Sequence, residues 1–289
     1  MKDPEYWLAL AHAPRNLGSL LNHFGSPRHL FEAGPLEWRV HCADVIKYLQ
    51  KPNWYAVEND IQWLAQTGNH LITLDHSDYP PFLREIYDPP PVLFVRGDTL
   101  LLKSPQLAIV GTRSASSEGE WTARTFAENL SNQGLTITSG LVFGIEGASH
   151  WGALAGQGKT IAVAGWGLDQ IYPAEHSELT QKIVETGTII SELPPGTQIK
   201  RMHFRSRSRI ISGLSLGTLL IEAPEYSGAL DTVRFAIEQG REVFVIPGSI
   251  HNPLVKGCHQ LIKEGAKLVE NVNDILEELQ NYHYIEAQH

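Results

Sequence analysis

The sequence predicts an α/β protein in which a doubly wound parallel sheet follows a small all-α domain. Two observations carry this. From residue 106 onward, short apolar runs alternate with amphipathic segments of helical length, the pattern of parallel strands joined by crossover helices. Residues 4–66 lack such runs and read as short helices punctuated at Gly18, Gly25 and Gly34-Pro35.

Composition bounds the function classes. With 289 residues, 42 % hydrophobic and 19 % charged, the chain fits a globular protein of one large domain or two ordinary ones. Its apolar runs break well short of a bilayer span, and the N-terminal MKDPEYWLALAHAP carries acids early and no long apolar core. Neither a transmembrane helix nor a secretory leader is expected. Cys42 and Cys258 lie far apart without a CxxC partner, as in a reduced cytoplasmic protein with two ordinary thiols. Thirteen histidines include no HExxH and no zinc spacing, so no metal is expected and His150 reads as a packing residue. A net charge of −9 argues against wholesale coating of DNA but leaves room for a local anion site.

Taken in order, YWLALAHA, LGSLLNHF, PRHLFEA and residues 54–66 are the expected helices, a set read as an interaction module. A β-like run at 70–74 follows, then the stiff connector Asp88-Pro89-Pro90-Pro91, whose prolines exclude helix, then a strand at 92–95. Strand–helix pairs are expected at 107–111 with 118–133, 135–140 with 145–157, and 160–164 with 176–186. A strand at 188–190 precedes two more pairs, 218–221 with 228–239 and 243–246 with 253–264. A short strand at 267–269 and an acidic helix at 272–279 close the chain. In such sheets ligands bind at the carboxyl ends of the strands, near the switch in strand order.

Four loops lie at such ends: Gly111-Thr112-Arg113-Ser114, Ser139-Gly140-Leu141-Val142-Phe143-Gly144, Ser227-Gly228-Ala229 and Pro247-Gly248-Ser249. Each would aim backbone N–H groups and a positive helix end at an anion, and Arg113 adds a bidentate fork. Beside them, residues 199–221 hold Lys200, Arg201, Arg205, Arg207 and Arg209, with Phe204 among them and no acid. Clustered arginine with an interleaved aromatic suits a polyanion that also offers flat faces, single-stranded nucleic acid. Neither GxGxxG nor GxxxxGK[ST] is present, which argues against a dinucleotide and against ATP hydrolysis. Glu222 is the one acid placed for catalysis, and a lone carboxylate makes a poor case. No catalytic residue and no cofactor are assigned.

From about residue 71 to 269 the chain resembles the DprA/Smf family, the DNA-processing proteins of natural transformation. The resemblance rests on YPPFLREIYDPPPVLFVRG, IVGTRSAS, TSGLVFGIEGASHWGAL, KTIAVAGWGLDQIYP, GTIISELPPGT, RIISGLSLGTLLIEAPEYSGALDT and GREVFVIPGS, in family order. It implies an extended Rossmann-like domain over 68–280 that binds single-stranded DNA, a sterile-alpha-motif-like (SAM-like) helical domain over 1–67, and a tail at 281–289 without the winged helix many members carry. It further implies a non-enzymatic protein that protects incoming strands, helps load the recombinase RecA while displacing single-strand-binding protein, and forms a homodimer through the Rossmann-like domain. The family's GxR arginine falls on Arg113. Its basic residue three before an aromatic falls on Arg201, with the base-packing aromatic on Phe204. Ser114, Gly140, Phe143 and Gly144 fall on pocket loops, and Arg207 and Arg209 on arginines flanking an asparagine. With Lys200, Ser227 and Gly228 these make the expected phosphate-binding set, and Phe204 and Phe143 the expected base-stacking pair.

Three positions depart from the family pattern. Arg205 stands for a proline, Ser208 for the asparagine and Glu146 for an aspartate. Two alternatives use the same architecture. One is a nucleotide phosphoribohydrolase of the lysine-decarboxylase-like group, whose PGGxGT is replaced here by Tyr226-Ser227-Gly228-Ala229-Leu230-Asp231-Thr232. The other is a cofactor carrier.

Overall fold

The computed structural model describes residues 3–14, 18–34, 37–38 and 43–286; Cys42 lies outside them. Five helices come first: α1 (Asp3–Ala11), α2 (Gly18–Phe24), α3 (Pro27–Glu32), α4 (Ala43–Gln50) and α5 (Trp54–Leu64). Ser26 and Asn53 cap α3 and α5 by accepting from His29 N–H and Ala56 N–H, the capping role that short polar side chains fill best. The sequence reading had no element at α4.

A hairpin-like pair, β1 (Asn69–Thr73) and β2 (Val92–Gly97), brackets the short helix α6 (Pro81–Arg84). Alternation then runs as expected through β3 (Gln106–Val110), α7 (Ser117–Asn132), β4 (Thr136–Gly140), α8 (Ile145–Ala155), β5 (Thr160–Val163), α9 (Ser177–Thr186) and β6 (Thr188–Ser191). Next comes α10 (Arg201–Gly213), then β7 (Gly217–Leu220), α11 (Ala229–Glu238), β8 (Glu242–Val245), α12 (Lys256–Lys263), β9 (Lys267–Leu268) and α13 (Val272–Glu286).

Among the described residues nine strands form one sheet, ordered β1-β2-β6-β5-β4-β3-β7-β8-β9. All pairs from β6 to β9 are parallel, whereas β2 is antiparallel to both β1 and β6. The parallel sheet expected from residue 106 onward is present, and the lead-in strands β1 and β2 add an antiparallel edge to it. A connection between parallel strands must return along the strand length; the chain leaves β2 through only a short 3-10 turn, Thr99–Lys103, and enters β3, which lies beyond β6, β5 and β4, running against β2.

Strand side chains alternate between faces, as a pleat requires. On β3, Ala108 and Val110 join the apolar layer under α6, α10, α11 and α12, and Leu107 and Ile109 join the layer under α7, α8 and α13. At the antiparallel end the second face is covered by the N-terminal helices and α9, where Trp7, Leu30 and Trp63 share one cluster with Val92, Phe94 and Ile183. After β6, α10 carries the chain back across the opposite face to β7, beside β3. Strand order therefore reverses at β3, and the chains leaving the carboxyl ends of β3 and β7 pass to opposite faces, into α7 and α11, which leaves a crevice between them.

His150 ties α8 to this sheet. Its ring is fully buried, with Nε2 2.8 Å from the Gly140 carbonyl and Nδ1 2.7 Å from the Thr160 hydroxyl. A carbonyl only accepts, so Nε2 donates to Gly140, while the Thr160 hydroxyl that faces Nδ1 itself donates to the Ile137 carbonyl at 2.7 Å. The packing role expected of His150 is what the geometry displays. Cys258 is likewise an inert buried thiol, pushed up to about 11 chiefly by burial.

Burial lowers the His150 pKa to about 4, with His176 and Arg207 adding repulsion. An unfolded histidine titrates near 6.5, so the unfolded chain gains a proton first as pH falls. The stability that His150 contributes is complete above pH 6.5 and is lost progressively toward pH 4, by about 3 kcal/mol. Urea unfolding of wild type and His150→Gln at pH 7 and pH 4 tests this. The wild type should lose about 3 kcal/mol more than the variant over that range; equal losses would acquit the ring.

Candidate nucleic-acid interface

The basic stretch folds as α10, which the sequence reading did not anticipate as a helix. Its faces differ sharply. Arg201, Met202 and Arg205 are exposed, while Arg207, Ser208, Arg209, Ile210 and Ile211 are buried. Lys200 is the N-cap and makes no side-chain cap bond, and the first turn holds no acid. Cations at a helix N-terminus oppose the helix dipole. The arrangement is unfavourable in isolation and is relieved by an anion, which satisfies both the cations and the exposed end of the helix.

Two of the arginines expected to take phosphate are committed to the protein. Arg207, 4 % accessible, donates from Nη2 to Glu146 at 2.7 Å and from Nη1 to the Val163 carbonyl at 2.9 Å. Its guanidinium lies over Gly140, where a Cβ would come within 2.0 Å of it. Arg209 donates to Glu192 at 2.6 Å and to the Ser206 carbonyl at 3.2 Å, with Asp88 3.5 Å from Nε. Both forks are spent on holding the wall, which narrows the expected phosphate set. Gly140 sits beneath Arg207, where it makes room for the guanidinium.

Arg113 behaves differently. It is exposed, and its Cζ lies 5.0 Å from the centre of the Phe204 ring. That ring is half-buried, 6.0 Å from both Trp166 and Tyr172 and 5.6 Å from the Arg207 Cζ. A cation over an aromatic face is attracted by the ring quadrupole, so Phe204 seats Arg113. Gly144, at φ +73°, passes so close beneath this loop that a Cβ would lie 2.3 Å from the Thr112 carbonyl. Ser114 is exposed beside it, and Phe143, 44 % accessible, packs edge-on against His176 at 4.9 Å.

The helix ends facing the crevice are not equivalent. Glu222, buried at the end of β7, accepts from Ser116 N–H at 2.8 Å and Ser116 Oγ–H at 2.6 Å, while Ser116 Oγ accepts from Gly119 N–H at 3.0 Å. The N-terminus of α7 therefore already holds a carboxylate, and Gly119 is bare because a Cβ there would meet Glu222 Oε2 at 2.4 Å. This is the acid singled out for catalysis, and both of its oxygens are engaged. At α11 the end is lighter. Ser227 Oγ accepts from Ala229 N–H at 3.3 Å, and Gly228 is exposed.

These parts enclose a cleft of about 1580 Å³. It brings together Arg113, Arg201, Phe204, Arg207, Ser227 and Gly228 from the expected set. Ser114, Gly140, Phe143, Gly144, Lys200 and Arg209 lie outside its lining. Sequence reasoning passed over Arg234, Lys256, Met202 and Tyr226, which also line it. Arg234 on α11 had a signal, standing in the helix that follows the Ser227-Gly228-Ala229 loop. Of the lining cations, Arg205 and Arg234 share Asp231, at 3.8 and 3.2 Å, and Arg207 has Glu146. Among the described residues Arg113 and Arg201 have no carboxylate partner.

Comparison with known proteins gives a consistent result. The family model of DNA recombination-mediator protein A matches residues 70–280. Protein Smf of Escherichia coli K12 is 47 % identical over 285 residues, covering 97 % of this chain and 76 % of that protein. The crystal structure of DNA processing protein A from Streptococcus pneumoniae superposes with a TM-score of 0.84 at 36 % identity, over 96 % of this chain and 99 % of that one. The DNA processing protein A of Helicobacter pylori, described for its single-stranded DNA binding mode, gives a TM-score of 0.67 at 28 % identity over 73 % of this chain and 96 % of that one.

The division between wall and groove arginines is measurable. Arg207→Met strands Glu146 without its partner in the interior, which should cost about 3–5 kcal/mol in urea unfolding. Arg201→Met, on the exposed face of α10, should stay within about 0.5 kcal/mol of wild type.

Proposed function

We propose that this chain, which belongs to the DNA recombination-mediator protein A (DprA/Smf) family, binds single-stranded DNA in the cleft between α10 and the loops that follow β3 and β7. The observation that carries this is the pair Arg113 and Arg201, two exposed guanidiniums without a carboxylate partner among the described residues, beside a helix start with no acid of its own. Both take backbone phosphates, with Lys200 at the cleft entrance and Ser114 supplying a hydroxyl. Ser227 and Gly228 offer the N-terminus of α11 to a further phosphate. Phe204 holds Arg113 in place and presents its remaining ring edge to a base, and Phe143 offers a second apolar contact at the α8 side. Arg207 and Arg209 act one step back, by fixing α10 through Glu146 and Glu192.

The wider role is processing of DNA in natural transformation, with protection of incoming strands and loading of RecA in place of single-strand-binding protein in the cytoplasm. A homodimer formed through the Rossmann-like sheet belongs to the same proposal. We read the protein as non-enzymatic. Glu222, the acid that the sequence offered for catalysis, spends both oxygens on Ser116.

Binding of a fluorescent oligo(dT) across a salt series tests the reading. Each phosphate contact on a single strand should add about −0.7 to the slope of log affinity against log salt. The double variant Arg113→Ala, Arg201→Ala should bind more weakly and lose about 1.4 of that slope. A slope near zero in the wild type, or an unchanged affinity in the double variant, refutes it.

A further inference from the structure

Three large apolar side chains in the cleft face solvent: Tyr226 at 92 % accessibility, Met202 at 64 % and Ile199 at 37 %. No function assigned so far uses Tyr226. It sits near the tip of a turn that is tied at both ends. Ser227 N–H donates to the Pro224 carbonyl at 3.0 Å, and the carbonyl of buried Ala223 just before it accepts from Gly257 N–H at 2.9 Å. On the far side, Ser227 is locked into the start of α11 by accepting from Leu230 N–H at 3.1 Å. A ring on a turn anchored this way loses little freedom when something stacks on it.

Charge says what would stack. Arg113 and Arg201, on the α10 side, have no carboxylate partner among the described residues, whereas the exposed carboxylate of Glu225 stands next to Tyr226; Asp231 is taken up by Arg205 and Arg234, and Lys256 also lines the cleft. A phosphate chain is drawn to the two unpartnered arginines and is kept off the immediate surroundings of Tyr226 by Glu225. A strand held by its phosphates on α10 therefore turns its bases toward Tyr226. The other aromatics lining the cleft, Phe204 and Tyr172, are half-buried and packed on each other and on Trp166, with Arg113 and Arg207 also over the Phe204 ring.

We propose that Tyr226 is the open base-stacking platform of the cleft, taking a base of the strand whose phosphates lie on Arg113 and Arg201. This rests on the DNA-binding reading above. A ring face accepts any base, so Tyr226 adds affinity without sequence preference. It also selects single strands, because the bases of a duplex are stacked on one another and unavailable.

The test compares oligo(dT) with an abasic oligomer of the same length, which keeps the phosphates and removes the bases. Wild type should prefer oligo(dT). Tyr226→Ala should bind oligo(dT) at least about fivefold more weakly and the abasic strand as wild type does, while Tyr226→Phe keeps the preference. Oligo(dT) affinity unchanged in Tyr226→Ala overturns the proposal, as does an equal loss on both strands. Salt-dependent binding of the abasic strand, present in either of those cases, shows the phosphate reading intact with only the stacking role lost. No binding of either strand by the wild type removes both.

Discussion

The buried ion pair between Arg207 and Glu146 is the constraint on which the cleft depends. It links the middle of α10 to the first turn of α8, and the same guanidinium reaches the end of β5 through the Val163 carbonyl. The link is possible only because Gly140 leaves the space that a side chain would fill. Such a pair gains little net stability, since desolvating two charges offsets most of their attraction. What it supplies here is direction. With Arg207 pinned inward, Phe204 falls one turn earlier on α10 within reach of Trp166 and Tyr172, and Arg201 falls on the exposed side. Arg113 then rests on Phe204, so a contact in the core sets the position of two cations at the surface.

The loops show a second division of labour. Several strand ends looked equally suited to hold an anion, yet the protein fills one of them itself. Glu222 occupies the N-terminus of α7 through Ser116, with Gly119 bare beneath it. Gly144 serves close packing of one loop on another. Open helix starts remain at α10 and α11, and both border the cleft. The helix starts left for an anion thus lie where the strand order reverses, and the Glu222 carboxylate is consumed as a cap.

The sheet was legible because its strands are apolar on both faces, which leaves short unbroken runs such as LAIV and TLLI that only a buried parallel sheet accommodates. What was not legible follows the same logic. The antiparallel β2 has the same apolar texture as its neighbours, and only the length of its connection betrays its direction. In α10, charge hid the helical period, because arginines occupy buried positions where apolar residues would announce a face. Arg201 and Arg207 are indistinguishable by type. Their roles are set by Glu146, fifty-five to sixty-one residues away along the chain, and no local pattern carries that information. The same holds for Glu222, whose partner Ser116 lies 106 residues distant.

These pairings also explain how a chain of net charge −9 can present a cationic groove. Half of the cations lining the cleft have a carboxylate beside them: Arg207 has Glu146, and Arg205 and Arg234 share Asp231. The field in the cleft is therefore set chiefly by Arg113, Arg201, Lys256 and the start of α10, a few sources instead of a broad basic face. Acids such as Glu225 border it. On the proposed reading, such a layout would hold one strand by its phosphates, and preference for single strands would begin in the charge layout before any base is touched.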